Sequence, residues 1–363
     1  MPHIRLRDRD AIITEEELIF RVYGYSHPPN AHVCDPEYAP ETIFKSPNPK
    51  AFRMGAEQIY YKFFADEGLQ FVQEKYPRYT VFYAPMQSRL VGVSHAHIVE
   101  TRRPNDVLQR LMKKEAGDGL LKALQKVLKL VKNESGLSER DFGVFGSILH
   151  DFYHPRFSDL DFIIYGKEKL RRLRETLGEL YGQDHPLQNE FEKEGVLEGK
   201  PWSFVNLSSK EYLWHQRRKM IYGLFSDRES GRVIKTEFEP VKYWSEIRNA
   251  YNTDVRIVRK DWIKAIVRVT EDEEAAFIPS IYQVEPLEIL EGAKVETIQR
   301  ILSYMEEFRM QAMRDEVVYV EGNLEQVVTP KTSFHQITLT RCPRYYEQVL
   351  KVLKARSTQN HII

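Results

Sequence analysis

The stretch Phe142–Gly166, FGVFGSILHDFYHPRFSDLDFIIYG, decides how this chain is read. A short apolar strand, Phe142 to Phe145, runs into Gly146-Ser147, and Ser158-Asp159-Leu160-Asp161 opens a second strand, Leu160 to Tyr165. Side chains alternate along a strand, so Asp159 and Asp161 share one face while Leu160 and Phe162 enter the core. Two carboxylates held a few residues apart raise each other's pKa unless a cation neutralises them. No His or Cys stands beside them, and magnesium prefers carboxylate, phosphate and water oxygens, with manganese as the alternative. Gly146 lets the backbone approach a phosphate, to which the hydroxyls of Ser147 and Ser158 and nearby N–H groups can donate. The competing reading is a surface hairpin whose DLD merely solvates a strand edge.

Outward from this stretch, the spacing predicts a helix from Asp106 to about Gly136, with Leu120, Leu121, Leu124, Val127, Leu128 and Val131 on one stripe. A charged helix is expected from Lys167 to about Leu180, and a hairpin from MIYGLF and RVIKTEFEPV around SDRESG, with a further strand signal in WSFVNLS. Upstream, residues 1–103 are aromatic-rich and punctuated by prolines, with strands at Leu18–Tyr23 and Tyr79–Tyr83 and helical periodicity from Ala56 to Gln73. PPNAHVCDPEYAP reads either as a lid or as an ordered proline-rich loop. After about Tyr251 strand signals follow at close spacing, closed by a helix at Arg344 to Ala355. The expected organisation is an N-terminal α+β region (1–103), a core (104–250) and a C-terminal mainly-β, barrel-like domain (251–363).

Gly-Ser, a ten-residue spacer and Ser-Asp-Leu-Asp-Phe resemble the signature of the DNA polymerase beta-type nucleotidyltransferase superfamily, over roughly residues 119–240. That superfamily includes CCA-adding enzymes, poly(A) polymerases, antibiotic nucleotidyltransferases and minimal nucleotidyltransferases. More loosely, the whole chain resembles archaeal predicted nucleotidyltransferases with extra N- and C-terminal regions. The resemblance implies an α+β fold with a mixed sheet and helices. It also implies transfer of a nucleoside monophosphate from a nucleoside triphosphate by two-metal chemistry, with Asp159 and Asp161 as metal ligands. A third carboxylate completes the set in active members. Glu237 is the candidate, with Glu239 on the same face two residues later; the alternative is a pair of solvated glutamates on an edge strand. Without that third acid the chain would be a nucleotide- or nucleic-acid-binding protein on a catalytically reduced core.

Other basic and aromatic groups are candidates for substrate contacts. Arg156 in the spacer suits a phosphate, whereas His150 and His154 read as exposed loop. Trp214-His215-Gln216-Arg217-Arg218-Lys219 offers an indole and three cations to an acceptor strand or triphosphate, or else is a solvated helix end. In Lys167–Arg174 the leucines pack and the cations face water. Phe277, Tyr282, Tyr304 and Phe308 would line an oligonucleotide-binding barrel or fill its core.

Composition limits the partners. Lys plus Arg and Asp plus Glu both number 53, so no global basic field drives the chain onto a polyanion. RNA (tRNA included), DNA, a protein hydroxyl and a small molecule all stay open as acceptor. Cys34 and Cys342 form no zinc-spaced pair, and no leader or 18-residue apolar run is evident. A cytoplasmic protein without a membrane partner is expected.

Overall fold

The computed structural model describes residues 4–182, 185–193, 195–198 and 201–353. The chain divides into two compact units: Met1–Val196 with Arg217–Thr253, and Leu197–Gln216 with Asp254–Ile363. Where the sequence reading has three consecutive segments, the N-terminal region and the core thus fall in one unit, and residues 197–216 join the C-terminal one.

The first unit opens with a sheet in the order β4-β5-β3-β2-β1-β8, with β7 pairing both β3 and β6. Its strands are β1 (Ala11–Ile13), β2 (Ile19–Val22), β3 (Ala31–Pro40), β4 (Phe52–Met54), β5 (Ile59–Lys62), β6 (Thr80–Tyr83), β7 (Ser88–Ser94) and β8 (Glu100–Arg102). The proline-rich stretch is neither lid nor loop: it is the long strand β3, paired with β2, β5 and β7. Its prolines are accommodated because Pro36 sits at a register shift against Phe20 and Pro40 ends the strand. The helical periodicity from Ala56 resolves into β5 followed by a later helix α1 (Glu67–Lys75). There Tyr60 and Tyr61 pair across to β3 and β4, and this pairing overrides the local pattern.

The expected helix of residues 106–136 is two helices, α2 (Pro104–Lys113) and α3 (Gly119–Ser135). Asp118 breaks the run by capping α3, accepting from the N–H groups of Leu120 and Leu121 at 2.8 and 3.0 Å. Gly136, with φ 64°, ends it in the left-handed region that glycine tolerates. Then come β9 (Phe142–Val144), a short helix α4 (Gly146–Leu149), β10 (Leu160–Tyr165), α5 (Lys167–Tyr181), β11 (Leu187–Asn189), α6 (Ser209–Arg218), β12 (Tyr222–Asp227) and β13 (Arg232–Val241). The five strands form a mixed sheet in the order β11-β12-β13-β10-β9, in which β10 and β13 run parallel. Phe162 stacks on Phe238 at 5.2 Å on the core side of this sheet. No strand forms in WSFVNLS.

The opposite face of the sheet is covered by charge. Arg7, Asp8, Arg9 and Asp10 are all buried, with the Arg7 guanidinium 3.5 Å from the Tyr165 ring centroid and Arg9 Nη2 donating to Glu239 Oε2 at 2.8 Å. These long-range pairings explain why the N-terminal region and the core form one unit.

In the second unit β14 (Arg256–Glu274) pairs with both β15 (Ser280–Glu291) and β17 (Val317–Val328), and β16 (Ile298–Ser303) pairs in parallel with β18 (Ser333–Leu339). With β15–β16 and β17–β18 paired as well, five strands close into a barrel around Ile263, Ala265, Val267, Tyr282, Ile301, Val320, Leu324 and Ile337. Where a terminal helix is expected, the described residues from Arg344 to Leu353 form no α-helix. Tyr345–Glu347 is a single 3-10 turn and Val349–Val352 is β19, an added strand on β17; residues 354 and 355 lie outside the described residues. Val349 and Leu350 are fully buried, and pairing with Val320 and Glu321 outweighs their helix-compatible spacing.

Candidate active site

The turn after β9 and the start of β10 meet closely. Phe145 N–H donates to the Asp161 carbonyl at 3.0 Å, Ser147 Oγ lies 3.4 Å from Ser158 Oγ, and Ser158 Oγ accepts from His154 N–H at 2.8 Å. Gly146 has φ 61°, and a Cβ placed on it would lie 2.5 Å from Asp161 Oδ2. Glycine is required there on both counts, because the conformation disfavours L side chains and the carboxylate occupies the space. The surface-hairpin alternative, in which Gly146 and Ser147 would stand apart from the aspartates, does not describe this arrangement.

Asp161 is half-buried and Asp159 reaches the surface. Burial raises the pKa of Asp161 to about 7, and the charge on Asp159 adds to this against the opposing pull of Lys62 and Lys235. Desolvation also raises Asp159, countered by Lys235, Arg232 and Lys62. Neither carboxylate accepts a hydrogen bond among the described residues.

Strand β13 sets the neighbouring acids. Glu237 is the register partner of Asp161, and Glu239 that of Ile163 two positions on. Paired residues of adjacent strands point to the same face, so both acids lie on the aspartate side. Their environments differ: Glu239 is buried and bonded to Arg9, whereas Glu237 is half-buried and acts on the charge of Lys235. For Lys235, burial works against the charged form, but Glu237, Glu190 and Asp159 outweigh it and raise the pKa. Among the described residues no group of three or more His, Cys, Asp or Glu side chains is placed to hold a metal ion.

The other expected contacts are scattered. Arg156 is exposed, and its N–H bonds to His154 Nδ1 at 3.1 Å. Arg217 Nη2 donates to the Phe191 carbonyl at 3.2 Å, while the carbonyls of Arg218 and Lys219 accept from Arg174 at 3.3 and 2.9 Å. Lys219 is fully buried, so the solvated-end reading fails for it. His150 is not exposed loop either: it is buried against Tyr38 and Phe152, and burial pushes its pKa down to about 3, with help from the Arg102 charge. In the barrel, Phe277, Tyr282 and Phe308 are core, at most 1% exposed.

The sequence reading missed three cations. Lys235 was legible, since it alternates with Glu237 on one strand. Arg232 donates to the carbonyls of Pro155 and Ser158 at 2.5 and 3.4 Å, which ties the spacer to β13. Lys62 comes from the N-terminal sheet, and no local pattern points to it.

The family model of the nucleotidyltransferase domain matches residues 124–221. This chain carries a nucleotidyltransferase domain. The match spans α4, β10 and both aspartates. An uncharacterized protein of Methanocaldococcus jannaschii is 25% identical over 337 residues, covering 90% of this chain and 92% of the relative, so the likeness extends into both flanks of the domain. No solved structure matches the chain. Among the described residues no helix is long and apolar enough to cross a membrane.

Proposed function

We propose that the protein transfers a nucleoside monophosphate from a nucleoside triphosphate to an acceptor, with Asp159 and Asp161 as the metal-binding pair. The observation that carries this reading is the contact of Gly146 with the Asp161 carboxylate, which couples the phosphate-cradling turn to the acid strand. The donor set fits magnesium, with manganese as a substitute. Magnesium is usually bound through one or two carboxylates, with waters and substrate phosphates filling the rest, so a triad of protein ligands is not required for binding. The Asp159 and Asp161 carboxylates accept no hydrogen bond among the described residues, and their pKa values stay raised despite the nearby cations, a condition a divalent cation relieves. Magnesium bound there supplies charge neutralisation for the triphosphate and acidifies the attacking hydroxyl.

The chain's own groups have separate tasks in this scheme. Ser147, Ser158 and the N–H groups of the Gly146 turn donate to phosphate oxygens. Lys235 offsets negative charge at the acids, and Arg232 holds the spacer in place. Glu237 is favoured over Glu239 as the third acid, because Glu239 is already neutralised by Arg9.

A second reading, nucleotide binding without turnover, draws support from the lack of a three-acid group among the described residues. Incubation with each labelled ribonucleoside triphosphate, magnesium and RNA, protein or small-molecule fractions separates the two. Label transfer by the native protein, lost in Asp159→Ala and Asp161→Ala, supports the enzyme. Binding without transfer supports the second reading, and full magnesium-dependent activity in both variants overturns the assignment of the acids.

A further inference from the structure

We infer that the N-terminal sheet completes the nucleotide site, with the Lys62 ammonium contacting the terminal phosphates of a bound nucleoside triphosphate. This rests on the nucleotidyl-transfer reading and adds to it a residue from outside the matched domain.

The argument begins with register. On β5, Lys62 is paired with Tyr38 of β3, while Tyr60 is paired with Pro40 of β3 and Arg53 of β4. Directly paired residues and those two apart on a strand share a face, so Tyr38, Arg53, Tyr60 and Lys62 project together. That face rests on the spacer between the Gly146 turn and the aspartates. The Tyr60 ring stacks on Phe152 at 4.5 Å, and Tyr38 meets His150 and Phe152 at 5.4 and 5.5 Å. Since the spacer leaves from Ser147 and returns at Ser158, the sheet face that grips it is brought to the site.

The two cations on this face are used differently. Arg53 is committed, donating from Nη1 to the carbonyls of Lys50 and Phe52 at 2.7 Å each and bonding the Tyr38 hydroxyl. Lys62 is half-buried, yet among the described residues its ammonium has no hydrogen bond and no ion pair; its one ring contact is Phe64, 5.9 Å away. Holding a half-buried ammonium with neither a hydrogen bond nor a close ion pair is unfavourable, so an anionic ligand within reach would stabilise it. Its charge acts on both Asp159 and Asp161, so the ammonium lies near the two acids. A compact ammonium facing two metal-binding acids suits the oxygens of a triphosphate, as lysine does in other phosphate sites.

The test uses the full-length protein with Lys62→Gln, Lys62→Met and Lys62→Arg, after thermal melting shows each folded. Binding of fluorescent ribonucleoside triphosphates and the matching monophosphates is measured with magnesium. Loss of one charge-assisted contact should weaken triphosphate binding about 10-fold or more in the Gln and Met variants, with a smaller loss for monophosphates and near-native binding in Lys62→Arg. Native triphosphate affinity in Lys62→Gln, or equal losses for mono- and triphosphates, overturns the assignment. If the unaltered protein binds no triphosphate, it is the underlying nucleotide reading that fails.

Discussion

Buried acids in the barrel and acids at the candidate site are provided for in opposite ways. In the barrel, Glu321 accepts from the Trp262 indole, the Asn206 amide and the Tyr319 hydroxyl at 2.8, 2.8 and 3.0 Å. Glu325 accepts from Gln336 Nε2 and Thr338 Oγ1 at 2.9 and 2.6 Å. Asp159 and Asp161 have no such donors among the described residues; Asp161 stands on β10 and Asp159 immediately precedes it. A carboxylate needed for stability has its donors built in, because an unmet buried charge is costly. One kept without donors is a functional candidate, with the ligand supplying what the fold withholds.

The largest effect that could break this contrast is on turnover. Asp161→Ala or Asp159→Ala should lower transfer by on the order of 1,000-fold, comparable to losing a major electrostatic contributor at a reacting phosphate. Melting temperature without metal should hold or rise, since each substitution removes a repelling charge. Unfolding of either variant would place these acids with Glu321 and Glu325 instead.

Asp10 sharpens the contrast because it is buried and only partly supplied. Its Oδ2 accepts from Arg7 N–H at 3.0 Å, while Oδ1 is buried without a hydrogen-bond partner. Burial raises its pKa to about 7, against the pull of Arg7 and Arg103. The folded protein therefore keeps this proton to higher pH than the unfolded chain, which releases it near the ordinary aspartate value. The sign follows: Asp10's contribution to stability is full below about pH 4 and falls as pH rises to about 7, by on the order of 4 kcal/mol in total. Asp10→Asn, neutral throughout, should flatten that slope in denaturation measured from pH 4 to 8. An unchanged slope would show that Asp10 titrates normally.

What was legible in the sequence follows the range of the forces involved. Strand β10 follows from local alternation, and the close of α3 from Gly136. The grouping of Gly146 with Asp161 came from the resemblance of Gly-Ser, spacer and Ser-Asp-Leu-Asp to a family signature, not from any local rule. Strand β3 was hidden because its prolines speak against a strand locally, and only the register shift at Pro36 admits them. Strand β19 was hidden because Val349, Leu350 and Val352 suit a helix as well as a strand until β17 is there to pair with. Arg9 and Lys62 were out of reach for the same reason, since Arg9 bonds a residue 230 positions away and Lys62 acts on a charge about 100 positions away.

Gly146→Ala tests the turn that ties phosphate cradle to acid. The new methyl would meet Asp161 Oδ2 at 2.5 Å in a backbone conformation with φ 61°. Strain of about 1–2 kcal/mol and a displaced carboxylate should lower transfer roughly 10- to 100-fold, with only a small fall in melting temperature. Native activity would mean that Asp161 need not be held at this distance.

The smallest effect should come from the barrel, and it should be on stability alone. In Glu325→Ala the Gln336 amide and Thr338 hydroxyl, 0% and 3% exposed, lose a shared acceptor. Gln336 Nε2 keeps Thr338 Oγ1 as an acceptor at 3.2 Å and Arg300 Nε holds Gln336 Oε1 at 2.8 Å, so the amide stays in place while one of its N–H groups and the Thr338 hydroxyl are left without their acceptor. The cost should be about 1–3 kcal/mol, the penalty of stranding buried donors, read as earlier melting of the full-length protein. Nucleotide transfer per folded molecule should stay within about twofold of native, since a stability substitution removes no transition-state contact. Lost transfer with unchanged melting would reverse the contrast, placing a fully bonded glutamate among the functional acids.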